Sequence, residues 1–167
     1  MILPREFYSQ SVLTLAPLLL GKRLCRRVNG EVISLRVTET EAYAGEEDTA
    51  CHAYRGRTPR NGVMYGPAGF AYIYLCYGIH SLLNVVAAET GRPEAVLIRG
   101  LEGLSGPGRL TKVLGIHYSM SGTDLTASDK LWLEDGAPFD YETAPRIGIG
   151  YASEEDKARM WRYIAKI

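Results

Sequence analysis

Asn29-Gly30 separates two short, largely β-prone runs, Leu24 to Val28 and Val32 to Glu39. A two-residue connection of this type needs positive φ at both positions, and it joins its flanks as an antiparallel hairpin. The first quarter of the chain is thereby committed to a sheet. Further runs extend it: Phe70 to Tyr77 before a turn at Gly78, Leu82 to Ala88, Ala95 to Leu101, Leu131 to Glu134 closed by Asp135-Gly136, and Arg146 to Tyr151. Helices flank these strands. Ser9 or Ser11 can cap a helix from Val12 to Leu20 that Gly21 ends, and Arg109 to Leu114 follows the breaker Gly106-Pro107-Gly108. Ser153 with Glu154, Glu155 and Asp156 opens a last helix, predicted to run through Met160 and Trp161. The expectation is an α+β fold in one mixed domain, residues 1–167, dominated by antiparallel strands.

At 167 residues and 46% hydrophobic content the chain is long and apolar enough to bury a core, which excludes disorder. Cys25, Cys51 and Cys76 form an odd set without C-x-x-C spacing, so a reducing, cytoplasmic setting is expected rather than a disulfide framework. The apolar run Val12 to Leu20 is too short to span a bilayer, is interrupted by Pro17, and precedes no cleavage site, so neither membrane nor export is expected. Lys and Arg number 19, as do Asp and Glu, and a neutral chain argues at first against nucleic acid. The charge is nevertheless blocked. Residues 1–36 carry +4, residues 37–48 carry −5, residues 49–115 carry +4 and residues 116–167 carry −3.

Three clusters carry possible chemistry. In Glu39-Thr40-Glu41-Ala42-Tyr43, residues two apart face one side of a strand, so a carboxylate stands beside an aromatic ring. That suits a general base whose proton affinity is tuned by partial desolvation; a solvated strand end or a glycosidase carboxylate pair fits the same spacing. The run from His52 to Gly62 holds Arg55, Arg57 and Arg60, one histidine, one tyrosine and no acid, which suits phosphate contact or simply a solvated loop. The third cluster is Tyr72, Tyr74 and Tyr77 with Gly78. Tyr72 and Tyr74 share a strand face, and Tyr77 falls near a hairpin tip, where an aromatic wedge could enter a base stack. Aromatic strands otherwise build cores. Cys51, His52, Cys76 and His80 lack the paired spacing of a zinc site, and no phosphate loop, dinucleotide fingerprint or nucleophile elbow occurs.

Taken in order, these segments continue through Asn84, Val96-Leu97-Ile98-Arg99, Gly106-Pro107-Gly108-Arg109-Leu110-Thr111 and Pro145-Arg146-Ile147-Gly148-Ile149. The whole closely resembles the alkyladenine (3-methyladenine) DNA glycosylase family, the N-methylpurine type. The resemblance implies a curved sheet with a protruding hairpin that enters the DNA minor groove. It implies a monofunctional hydrolase acting on double-stranded DNA with alkylated purines: 3-methyladenine, 7-methylguanine and, as a further candidate, hypoxanthine. A monomer without metal or other cofactor is expected. A non-catalytic module recognising damaged DNA is the alternative, one that has no need of Glu41.

Residue roles follow from the resemblance. Glu41 matches the general base that activates water, and Arg99 the arginine that helps place it. Tyr43, His52 and Tyr74 match a stacking pocket, Tyr72 a tyrosine supporting Glu41 through its hydroxyl, and Asn84 the residue that disfavours guanine's exocyclic amino group. Tyr77 matches the intercalating side chain, and Arg55, Arg57 and Arg60 fall where backbone contacts are expected. One departure stands out: between Leu101-Glu102 and Gly106-Pro107 the family's long excursion has shrunk to Gly103-Leu104-Ser105.

Overall fold

The computed structural model describes all 167 residues. Its centre is an antiparallel sheet of nine strands whose main path runs β3 (Ala71–Cys76), β4 (His80–Ala87), β5 (Glu94–Leu101), β2 (Glu31–Tyr43), β1 (Arg23–Val28), β7 (Leu131–Glu134). The predicted hairpin is present: β1 (Arg23–Val28) pairs with β2 (Glu31–Tyr43) from Arg23↔Arg36 to Val28↔Glu31. Asn29 and Gly30 adopt φ of 51° and 80°, as their turn requires.

β2 extends past Glu39 to Tyr43 and changes neighbours on the way. Its first half pairs with β1, and its second half pairs with β5 (Glu94–Leu101). The register slips between Val37 and Thr40, a bulge that bends the sheet and leaves Arg99 unpaired opposite Glu39 and Thr40. Gly100 permits this closeness, because a Cβ there would lie 3.0 Å from Thr38 Oγ1 and 3.2 Å from Glu39 Cβ. β3 (Ala71–Cys76) and β4 (His80–Ala87) complete this half as a hairpin on the far side of β5. β6 (Leu104–Ser105) folds back on β5 through Leu101↔Leu104, so the shortened segment becomes a tight return whose Gly106 N–H donates to Arg99 O. β7 (Leu131–Glu134) closes the path beside β1.

The helices are short. α1 (Arg5–Tyr8) was not anticipated, and α2 (Val12–Leu18) buries Val12, Leu15 and Ala16 against the sheet. Ser11 sits at the start of α2 but does not cap it; the Val12 amide donates instead to Glu94 Oε1 of β5 at 2.9 Å. Thr40 Oγ1 in β2 donates to Ala16 O, which ties the helix to the strand that carries Glu41. α3 (Pro107–Leu114) packs Leu110 and Leu114 into the same core.

Two sequence expectations fail at the C-terminal end. Residues 146–151 form no strand, and the last helix, α4 (Glu154–Ala158), stops well before Trp161. Strand β9 (Arg162–Ala165) takes the edge of β2 opposite Glu39 to Glu41 and also pairs with β8 (Tyr141–Ala144). That edge being taken, residues 146–151 have no ladder to join, and their polar groups turn to the carboxylates Glu41 and Asp48. No helix is long and apolar enough to cross a membrane.

Candidate active site

Glu41 lies on the second half of β2, just beyond the bulge, and is 0% exposed. A buried carboxylate is costly unless its lone pairs are used. Here Oε1 accepts from the Tyr43 hydroxyl at 2.8 Å, and Oε2 accepts from the Ile147 amide at 2.7 Å. Arg99 Nη1 stands 3.5 Å from Oε1, while Arg99 Nε is 3.4 Å from Glu39 Oε2, which also receives Arg162 Nη1 at 3.1 Å. Burial pushes Glu41 above the usual carboxylate range; Arg99, the Ile147 amide, the Tyr43 hydroxyl and Arg146 pull it back. The period-two spacing thus does bring Glu39, Glu41 and Tyr43 into one polar cluster.

Beside this cluster opens a cavity of about 580 Å³, within the range of about 300–1,000 Å³ typical of small-molecule sites. Glu41 does not itself line it; Tyr43, Arg99 and Ile147 form the wall over the carboxylate. On β3, Tyr72 and Tyr74 turn into the cavity while Ile73 between them enters the main core, as strand alternation requires. His52 packs edge-on against Tyr74 with ring centroids 4.3 Å apart, and Tyr72 lies 5.5 Å from Tyr74. Tyr43 lines the same cavity from β2. Asn84, buried on β4, donates through Nδ2 to Tyr72 O.

The hydroxyl roles differ from those the resemblance implied. Tyr72 does not reach Glu41; its hydroxyl shares a hydrogen bond of 2.9 Å with His52 Nδ1, and Tyr43 supplies the hydroxyl on Glu41. The reason is local. Tyr43 follows Glu41 by two residues on one strand face, whereas Tyr72 stands across two intervening strands, next to His52. Partial burial and the neighbouring Arg60 lower His52 to about 4, so its imidazole is neutral at pH 7.

The loop that holds His52 is organised by Asn61. Its Oδ1 accepts from the Thr58 amide, and its Nδ2 donates to His52 O and Gly56 O at 3.1 Å each. Within the irregular stretch between β2 and β3, one buried amide therefore ties residues 52–61 together. Arg60 lines the cavity with its guanidinium over the Tyr74 ring, Arg57 stacks on Tyr65, and Arg55 is exposed. Tyr77 is 89% exposed at the β3–β4 turn, with φ of 53° followed by Gly78 at 67°. A large aromatic held in the left-handed region at an open tip contributes nothing to a core. Arg109 and Tyr151 also line the cavity without any role read from the sequence, and so does His80, which the sequence offers only as an ill-spaced zinc ligand. Arg109 had one signal, its place directly after Gly106-Pro107-Gly108.

A buried carboxylate behind an aromatic-walled cavity, next to an exposed aromatic hairpin, gives a site with the shape for a flat ring and a titratable group close behind it. The family model described as Methylpurine-DNA glycosylase (MPG) matches residues 6–105 and 103–167. A relative from Methanocella arvoryzae is 42% identical over 186 residues, covering 99% of this chain and 92% of its own. One from Carboxydothermus hydrogenoformans is 44% identical over 171 residues, covering 89% of both chains, and one from Borreliella afzelii is 40% identical over 173 residues, covering 95% and 93%. All three carry the name "Putative 3-methyladenine DNA glycosylase". The chain belongs to the methylpurine-DNA glycosylase family, a family of DNA repair, and DNA is the substrate that membership implies.

Proposed function

We propose that the protein is a monofunctional glycosylase that removes alkylated purines from double-stranded DNA, 3-methyladenine and 7-methylguanine first and hypoxanthine as a further candidate. The observation that carries this reading is the Glu41 carboxylate, held by Tyr43 and Ile147 immediately behind the aromatic cavity. The relatives' names support the choice of 3-methyladenine.

In this reading the whole chain acts as one domain and as a monomer. Tyr77 enters the minor groove from its hairpin tip and fills the gap left as the nucleotide swings out. Flipping costs a few kcal/mol, and least for a poorly stacked lesion. Arg55, Arg57 and Arg60 contact phosphates. The rings of Tyr43, His52 and Tyr74, with Tyr72 behind His52, receive the cationic purine, each favourable contact giving about 0.5–2 kcal/mol. A neutral His52 does not repel that cation. Asn84 disfavours the exocyclic amino group of guanine.

As the nucleotide enters, the wall of Tyr43, Arg99 and Ile147 parts to admit a water to Glu41, which takes a proton from it as the water oxygen bonds to C1′. The electrons of the glycosidic bond leave with the purine, cancelling its positive charge. Arg99, bridging cavity and carboxylate, places that water, and the Glu41 charge stabilises the oxocarbenium-like sugar. No lysine lines the cavity, which favours hydrolysis by water over a Schiff base and leaves the strand uncut.

Incubation with methylated duplex DNA tests the reading. Free 3-methyladenine and 7-methylguanine should appear while the strands stay intact. Tight binding of lesion DNA with no base released would instead identify a non-catalytic damage-recognition module.

A further inference from the structure

The proposed base hangs on two hydrogen-bond donors, the Tyr43 hydroxyl and the Ile147 amide, and Arg146 stacks beside the ring of the first and directly precedes the second in the chain. Its guanidinium is 0% exposed and forks onto Asp48, with Nη1 2.6 Å from Oδ2 and Nη2 3.0 Å from Oδ1. Nη1 also donates to Ala42 O at 2.9 Å, between Glu41 and Tyr43 on β2, and Nη2 to Asp156 O of α4 at 3.3 Å. The cation lies 4.9 Å from the Tyr43 ring centroid and 4.9 Å from that of Trp161. Asp48 is equally fixed, accepting from the Ala44 and Ala50 amides at 3.0 Å each. One buried pair therefore holds the ring of one Glu41 donor and, by covalent adjacency, the amide of the other.

A buried ion pair is poor evidence for stability, since packed apolar residues of the same volume often serve as well. Its use here is positional. Resting on the glycosylase reading of Glu41, we infer that Arg146, clamped by Asp48, is a positioning residue: it aims the Tyr43 and Ile147 donors at Glu41 and supplies, from behind the site, a second cation that keeps the carboxylate ionised. The charged and titratable groups around Glu41 are Arg99 from β5, Glu39 and Tyr43 from β2, Arg162 from β9, Arg146 and Tyr151 from the loop after β8, and Asp48 from the loop after β2. Arg162 and one side of Arg99 are taken up by Glu39. Arg146 is therefore the cation whose removal Glu41 should feel alongside Arg99, and its charge does favour the ionised form.

Two variants separate positioning from folding: Asp48→Asn/Arg146→Met, which removes both buried charges, and Arg146→Lys, which keeps the charge but not the fork or the stacking. Melting and near-ultraviolet dichroism report the fold. The Glu41 midpoint is read without substrate, by titrating carboxyl-labelled glutamate with Glu41→Gln as the assignment control. Single-turnover base release against pH is the second readout. In the folded double variant the Glu41 midpoint and the acidic limb of base release should both rise by about one pH unit. Arg146→Lys keeps the cation but loosens both donors, so it should raise the midpoint by less than the double variant does and slow maximal release roughly ten- to hundredfold, as a loosened base would. An unmoved midpoint in the folded double variant, or a wild-type rate in Arg146→Lys, overturns the inference, as does failure of both variants to fold, which assigns the pair to folding alone. If the wild-type protein releases no base, the glycosylase reading falls while the midpoint still decides whether Arg146 acts on Glu41.

Discussion

Glu41 is an acid placed where the chain could ill tolerate one. Burial raises its proton affinity, and two hydrogen bonds with a nearby guanidinium lower it again, so its ionisation sits above the free glutamate value of about 4.3. A base must be ionised to work, so release should be complete above that raised value and fall, tenfold per unit, as pH drops through it. A limb at or below about 4.3 in single-turnover kinetics would contradict this environment. Tyr43→Phe removes one donor while keeping the ring against Arg146. It should move that limb upward, slow release roughly tenfold and lower the melting temperature by a few degrees, because a hydrogen bond to a buried charged group is worth about 1.5–3 kcal/mol. Glu41 and Tyr43 could be read from their spacing on one strand. The pairing of hydroxyls could not, since which tyrosine reaches Glu41 depends on where β3 lies relative to β2. Arg146 left no local trace either: its partners are Asp48, Ala42 and Trp161, all remote in sequence.

At the scale of elements, the bulge in β2 and the β3–β4 hairpin each set the place of one residue with a proposed role, Arg99 and Tyr77. The bulge skips Arg99 and depends on Gly100, where a methyl group would press on Thr38 and Glu39. Gly100→Ala should cost about 1–3 kcal/mol in denaturant unfolding and displace Arg99, lowering release more than stability alone explains. The hairpin carries Tyr77 at a site with no burial to lose. Tyr77→Ala should therefore weaken capture of the flipped lesion and leave the melting temperature within about a degree. Loss of thermal stability with undiminished excision would mean that Tyr77 is structural after all. Local turn chemistry made Asn29-Gly30 and Tyr77-Gly78 legible in advance. The C-terminal misreadings came from competition: Met160-Trp161-Arg162 has no strong bar to helix, but the free edge of β2 captures Arg162 to Ala165 as β9. Once that edge is taken, residues 146–151 have no strand to join.

For the molecule as a whole, zero net charge conceals a division of labour along the chain. The acidic block 37–48 holds both Glu41 and Asp48, and the basic stretch 49–115 supplies the His52 loop, the hairpin and most of the cavity wall. Such a protein should bind DNA modestly, with log K falling linearly against log salt and a slope set by few phosphate contacts. Arg60→Gln should reduce that slope by about one, and Arg55→Gln likewise, if each meets one phosphate. Selectivity then rests on the ring-lined cavity more than on bulk electrostatics. The central claim, that this cavity serves catalysis through one carboxylate, is tested most directly by Glu41→Gln in single-turnover release of 3-methyladenine from saturated duplex DNA. Glutamine preserves the size of the side chain and most of its packing, so the variant should still bind lesion DNA with wild-type affinity while release falls by about 10²–10⁴. Release at the wild-type rate from folded, DNA-bound Glu41→Gln would contradict the account.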